Sequence, residues 1–223
     1  MRMSSDLSEL YLKEEQIVKT CEYLKYIVDK IHTVILATAD DKGHPFTSAV
    51  DMMHTENEKL YFLTAKGKNL YSRLKNNEHI ALTGLKGEST LTSISISIRG
   101  KAREIGSDMI PFLFDRNPYI YEIYPNEESR KALTVFEIYE GNGEFFDLSK
   151  KPIERESFIF GKEEKEETGY FITDACIGCG SCLEVCPQKC ILCETIPFVI
   201  KQKHCLACGN CFNTCPHQAV IRR

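Results

Sequence analysis

Residues 176–187 read Cys176-Ile-Gly-Cys179-Gly-Ser-Cys182-Leu-Glu-Val-Cys186-Pro187, and residues 205–216 read Cys205-Leu-Ala-Cys208-Gly-Asn-Cys211-Phe-Asn-Thr-Cys215-Pro216. Both spell C-x2-C-x2-C-x3-C-P, and the second follows the first by 29 residues. In such a run three thiolates hold one iron–sulfur cluster and the fourth crosses to the other. The expectation is two [4Fe–4S] clusters. Cys176, Cys179, Cys182 and Cys215 would hold one, and Cys205, Cys208, Cys211 and Cys186 the other. Gly178, Gly180 and Gly209 let the backbone curl around a compact cubane, because glycine has no Cβ to obstruct a sulfide or a positive φ. Pro187 and Pro216 fix the direction in which the chain leaves.

Zinc also takes paired C-x2-C. It gives no reason for eight evenly spaced thiolates and two C-P dipeptides. A disulfide framework is disfavoured as well, since the start, M-R-M-S-S-D-L, lacks the apolar h-region of a secretory signal. The expected compartment is therefore reducing, and the expected location cytoplasmic.

Three of the eleven cysteines lie outside this pattern. Cys21 shares helical spacing with Ile17, Leu24, Val28 and Ile31, which predicts a helix over about 6–30 with a buried thiol. Cys190 occupies the place that Ala219 takes in the second copy, so it is expected to pack near a cluster. A separate redox or metal role for Cys190 and Cys193 stays open.

The 223 residues suit one full domain and one small one. Hydrophobic content of 43% with 27% charged residues is that of a globular chain. No apolar run approaches the roughly 18 residues of a membrane span. The net charge of −4 is unevenly spread. From residue 170 onward five cations face three anions, a balance of +2, which leaves −6 upstream. No basic stripe interleaved with aromatics is present, so neither nucleic acid nor a membrane is an expected partner.

Upstream of the cysteines, Thr33–Ala39 is β-rich and Asp40-Asp41-Lys42-Gly43 is a turn. Pro45–Met53 reads as the return strand, Glu56–Lys59 as a second turn and Leu60–Thr64 as a third strand. A helix through about Asn76 follows, with Leu70, Tyr71 and Leu74 inward, then a strand from His79. Ile94, Ile96 and Ile98 alternate with serines, the period of a strand with one wet face. Residues 107–132 are helix-prone but broken by Pro111, Pro118 and Pro125. Glu140-Gly141-Asn142-Gly143 reads as a hairpin turn between two final strands. The fold class is thus α+β: a small antiparallel barrel with flanking helices, plus a small C-terminal cluster domain. The charged run Lys162–Glu167 has no apolar face and reads as a linker. The expected domains are 1–154, a linker over 155–169, and 170–223.

Three stretches carry a resemblance. Leu36-Ala-Thr-Ala-Asp-Asp-Lys-Gly-His-Pro45, Leu60-Tyr-Phe-Leu-Thr-Ala-Lys-Gly-Lys-Asn69 and Leu74-Lys-Asn-Asn77 resemble the pyridoxamine 5′-phosphate oxidase-like flavoproteins over about residues 15–148. Residues 170–223 are similar to two-cluster ferredoxins. The first resemblance implies an antiparallel split barrel, normally a homodimer, with FMN bound between subunits. By position it implies that Thr64, Lys66 and Lys68 face the FMN phosphate, and that Thr47, Ser48 and Ala49 lie along the isoalloxazine edge. The chemistry of T-A-K-G-K-N at a helix entry suits a phosphate, supplying ammonium groups, a hydroxyl and free N–H groups.

The function expected from this is a redox flavoprotein whose clusters exchange electrons with FMN to reduce or oxidise a small molecule. A flavin takes one or two electrons, so it can couple one-electron clusters to two-electron organic chemistry. No catalytic acid, base or nucleophile is assigned; His44 and His54 are single histidines without a partner at catalytic spacing. The alternative is a non-catalytic electron carrier or redox sensor whose barrel serves for cofactor binding or dimerisation.

Overall fold

The structure, a computed structural model, describes residues 17–162 and 168–223. These fall into two compact units. One draws on residues 17–86, 95–144 and 157–162, the other on 87–94, 145–156 and 168–223. No described helix is long and apolar enough to cross a membrane.

The first unit opens with helix α1 (residues 17–26), which widens into a π-helical turn, Ile27–Ile31. Then come β1 (Thr33–Ala39), β2 (Pro45–Asp51), β3 (His54–Glu56), β4 (Lys59–Ala65), α2 (Asn69–Asn76) and β5 (His79–Lys86). A long β6 (Ile94–Gly106) leads to three short helices, α3 (Ile110–Arg116), α4 (Ile120–Ile123) and α5 (Glu127–Arg130). The chain closes through β7 (Leu133–Asp147) and β8 (Glu154–Phe160). The strands make one sheet in the order β2-β1-β5-β6-β7-β4-β3, with β8 on β7. β1 pairs antiparallel with both β2 and β5, as does β4 with β3 and β7.

Turn chemistry sets the registers. Gly43 has φ +80, and the Asp40 carboxylate accepts the N–H groups of Lys42 and His44, so Thr33 falls opposite Asp51 and Ile35 opposite Ala49. Asn57 and Glu58 both adopt positive φ, as a tight hairpin between β3 and β4 requires. Helix α2 is tied to β6 through Glu104, which accepts from Tyr71 at 3.2 Å and from Lys75 at 2.9 Å. Met53, Tyr61, Leu113, Phe114, Leu133 and Val135 form one buried apolar cluster of this unit.

Three sequence expectations need correction. Cys21 is exposed; the inward stripe of α1 is Thr20, Leu24 and Ile27. Thr20 tolerates burial because its hydroxyl donates to the Ile159 carbonyl at 3.1 Å, which turns the helix face by one residue. The first part of the expected helix, residues 6–16, lies outside the described residues.

The expected hairpin at 140–143 does not exist, since β7 runs straight through it. Gly141 is glycine because a Cβ there would strike the Arg99 carbonyl and Gly100, and Gly143 because it would strike the Phe158 ring. These glycines mark close approach, not a turn. Residues 155–160, read as the start of a linker, belong to β8; residues 163–167 of that stretch lie outside the described residues.

In the second unit, β9 (Tyr170–Ile172) pairs with β12 (Val220–Arg222), and β10 (Ile191–Leu192) with β11 (Val199–Ile200). Helices α6 (Ser181–Val185) and α7 (Asn210–Thr214) are 29 residues apart, as are their αL caps Gly180 and Gly209. The same shift relates Gly178 to Ala207 and Lys189 to Gln218, all at positive φ. The duplicated motif is therefore duplicated structure. Cys182, Cys190, Cys205 and Cys211 are half of one buried cluster of this unit, beside Ile191, Phe198, Ile200 and Val220.

Candidate functional site

Two concavities of similar size lie in the second unit. One, of about 330 Å³, is lined by Cys176, Cys179, Cys182 and Cys215. The other, of about 340 Å³, is lined by Cys186, Cys205, Cys208 and Cys211. Each takes three thiols from one run and the fourth from the other. Among the described residues no three metal-ligating side chains converge on one ion. Four thiols that line each cavity without closing on one centre fit a multi-atom cluster better than zinc, whose sulfurs would sit about 2.3 Å from a single ion.

Backbone amides already point at the sulfurs: Ala207 N–H donates to Cys205 Sγ and Ala219 N–H to Cys215 Sγ, both at 3.3 Å. Burial pushes the Cys211 thiol up to about 11 and raises Cys182, whereas the Ser181 N–H lowers Cys179. The buried thiols thus need a bound cation to ionise, which links metal binding to proton release. Cys190 is 4% exposed and lines the second cavity, while Cys193 is exposed.

The barrel unit carries a cleft of about 920 Å³, its open mouth included, in the range of small-molecule sites. Ser48 and Ala49 from β2, Thr64 from the end of β4, and Lys68 at the entry to α2 all line it. Thr64 is 3% exposed, and its hydroxyl is the one buried side-chain polar atom without a hydrogen-bond partner among the described residues. A buried unpaired hydroxyl costs on the order of 1–3 kcal/mol, so it marks a place where a ligand acceptor or donor belongs. The Tyr71 and Ser72 amides donate to the Lys68 carbonyl, which leaves the Asn69 and Leu70 amides at the start of α2 to join Lys68 as donors to a phosphate. The residues present therefore fit a phosphate-bearing ligand. The two remaining candidates lie elsewhere: Thr47 is exposed on β2 opposite Ala37, and Lys66 is exposed in the turn after β4.

The same cleft holds groups that sequence reasoning missed. Tyr119 donates to Asp51 Oδ2 at 2.7 Å, and its oxygen lies 2.9 Å from His32 Nε2. Thr33 donates to Asp51 Oδ1 at 2.6 Å. Thr33, Asp51 and Tyr119 line the cleft, and His32 is held at φ +66 just after the π-helical turn. Burial works to raise the Asp51 carboxyl, but hydrogen bonds from Thr33 and Tyr119 outweigh it and hold the group below its usual range. Burial, then the bond to Asp51, pushes the Tyr119 phenol well up. The Thr33–Asp51 pair was implied by the β1–β2 turn. Nothing local in the sequence places Tyr119 or His32 beside it.

Comparison with known proteins now fits this geometry. The pyridoxamine 5′-phosphate oxidase family matches residues 22–139, and a 4Fe–4S dicluster domain matches residues 168–217. The chain belongs to the pyridoxamine 5′-phosphate oxidase family and carries a C-terminal two-cluster domain. Among solved structures it is similar to a nimC/nimA family protein from Clostridium acetobutylicum, with 16% identity, 66% of this chain and 93% of that one covered, and a TM-score of 0.52.

It is also similar to a protein from the same organism related to general stress protein 26, of the pyridoxinephosphate oxidase family. That match has 18% identity, covers 63% of this chain and 94% of that one, and has a TM-score of 0.49. At such identities the first likeness speaks for the fold alone. No curated protein matches the chain. The family and domain matches support iron–sulfur clusters and FMN as the cofactors.

Proposed function

We propose that the chain is a redox flavoprotein in which two [4Fe–4S] clusters exchange electrons with FMN to reduce or oxidise a small molecule. The observation that carries the flavin part is the unpartnered Thr64 hydroxyl in a cleft shared with Lys68, Ser48 and Ala49. Thr64, Lys68 and the first turn of α2 would hold the phosphate, with Lys66 screening it from the turn. Ser48 and Ala49, with Thr47 behind them on the strand, would flank the ring.

The cysteines of each cavity would hold one cubane, crossed as their grouping suggests. When bound, the clusters supply single electrons and the flavin supplies two-electron chemistry. Residues 1–154 would carry the flavin function and 170–223 the clusters.

The carrier-or-sensor reading drew on the lack of an acid or base in the barrel. Asp51, Tyr119 and His32 at the cleft supply such groups and favour catalysis. One sheet face of β2, β1 and β5 leaves Ile35 and Leu85 51% and 64% exposed beside the cleft residues Thr33, Ala49 and Asp51. A second copy on this face would make the homodimer that the family resemblance implies. A reducing, cytoplasmic setting suits eleven unpaired cysteines.

The test is flavin and iron content of the full chain purified without oxygen. About one FMN and about eight irons per chain are expected, four for each cubane. Eight irons without flavin would defeat the flavoprotein reading.

A further inference from the structure

The cavity of Cys186, Cys205, Cys208 and Cys211 holds a fifth thiol. Cys190 lines it, is 4% exposed, and its Sγ lies 3.6 Å from that of Cys186, within reach of an S–H···S hydrogen bond. The other cavity has no fifth thiol in place of Cys190, and its side-chain contact to a ligand sulfur is the Ser181 hydroxyl, 3.6 Å from Cys179 Sγ at the rim. The counterpart of Cys190 29 residues on is Ala219, 2% exposed, which presents only a methyl group and a backbone N–H to Cys215. The two halves correspond in caps, helices and strands, and the pair Cys190 and Ala219 is a point at which a buried sulfur-bound proton stands on one side alone.

We infer that Cys190 is a sulfur-to-sulfur hydrogen-bond donor that makes the cluster of its own cavity a better electron acceptor than the four ligands alone would. The inference rests on the ligand assignment proposed above. A cubane with four thiolates is anionic, and a fifth buried thiolate beside it would add like-charge repulsion in a dry site. A neutral thiol avoids that repulsion, and at Cys190 it faces two ligand sulfurs of this cavity, that of Cys186 at 3.6 Å and that of Cys205. A donor at a cluster sulfur stabilises the form that carries the extra electron, and such bonds are among the factors that set cluster potentials.

The experiment is an anaerobic reductive titration of the full chain, followed by electron paramagnetic resonance, with iron counted for every sample. Cys190→Ala is expected to keep about eight irons while lowering one midpoint. At the original midpoint the ratio of reduced to oxidised cluster should fall about tenfold, equivalent to about 59 mV for one electron. Cys190→Ser, which keeps a donor, should restore most of that shift. Ala219→Cys should raise the other midpoint.

Two unchanged midpoints in Cys190→Ala at full iron content would overturn the inference. So would loss of iron confined to Cys190→Ala, which would make Cys190 a ligand. Fewer than eight irons in the unsubstituted protein would instead fail the cluster assignment itself, so the two failures are distinguishable.

Discussion

The cleft of the barrel and the thiol cavities of the second unit are held open by different means. Around the cleft, side chains from β1, β2, β4 and the α3–α4 region stand on an apolar core that contains none of the proposed ligand-binding groups. Around the cavities would-be ligands are themselves core: Cys182, Cys205 and Cys211 belong to the buried cluster, with Cys190 beside them. A core that small buries too little apolar surface to stabilise a domain by itself, and metal then supplies folding energy. The barrel should outlast its cofactor; the second unit should not outlast its clusters.

The largest expected effect tests that contrast directly. Anaerobic iron chelation should abolish the cooperative thermal transition of the second unit while that of the barrel stays in place. Loss of both transitions together would break the comparison.

Next comes the crossing of ligands. Cys215→Ala should remove the iron held with Cys179, so the Cys179→Ala/Cys215→Ala pair loses no more iron than either change alone. Additive loss would show that the two residues serve different clusters.

A smaller effect is expected at the cleft, where loss of one charge-assisted contact leaves the fold intact. Lys68→Ala should weaken FMN retention by about tenfold to a hundredfold, or roughly 1.4–3 kcal/mol, with iron content unchanged. Flavin binding at full strength would remove Lys68 from the site.

The smallest effect lies in the barrel core. Burial works to raise the Glu137 carboxyl, but Lys59 at 2.9 Å and Arg103 Nε at 2.7 Å outweigh it and hold the group below its usual range. A depressed carboxyl contributes stability above its unfolded value, roughly pH 4.3, and loses it as pH falls through the folded value. The barrel's melting temperature should therefore drop in that acid window, and Glu137→Gln should flatten the drop. An unaltered profile would show that the ion pairs contribute nothing.

The same contrast governs what the chain revealed before its fold was known. The cysteine runs were legible because each cavity needs only short local spacing plus one crossing residue. Ser48, Ala49, Thr64 and Lys68 were legible only through resemblance, since two lysines and a threonine in a turn have no distinctive spacing. His32, Asp51 and Tyr119 were not legible as a group. The first two meet through the β1–β2 register, and Tyr119 arrives through a proline-broken stretch whose path depends on packing. Gly141 and Gly143 were misread because glycine answers two demands, a turn or a close neighbour, and only the position of Gly100 and Phe158 decides between them. Cys21 was misplaced by one helical step because the Thr20 hydroxyl finds a distant carbonyl that no local pattern announces.

The grouping of Cys215 with the first run and Cys186 with the second also bears on inheritance. A duplicated segment is usually free to be lost, split or recombined once its copies exist. Here each copy lends its last thiol to the other's cage, so a break anywhere between 187 and 204 leaves two incomplete cages in place of one whole and one missing. The repeat is symmetric in form but indivisible as a unit, and its halves differ at positions such as 190 and 219, where one can change without withdrawing a thiol from the other.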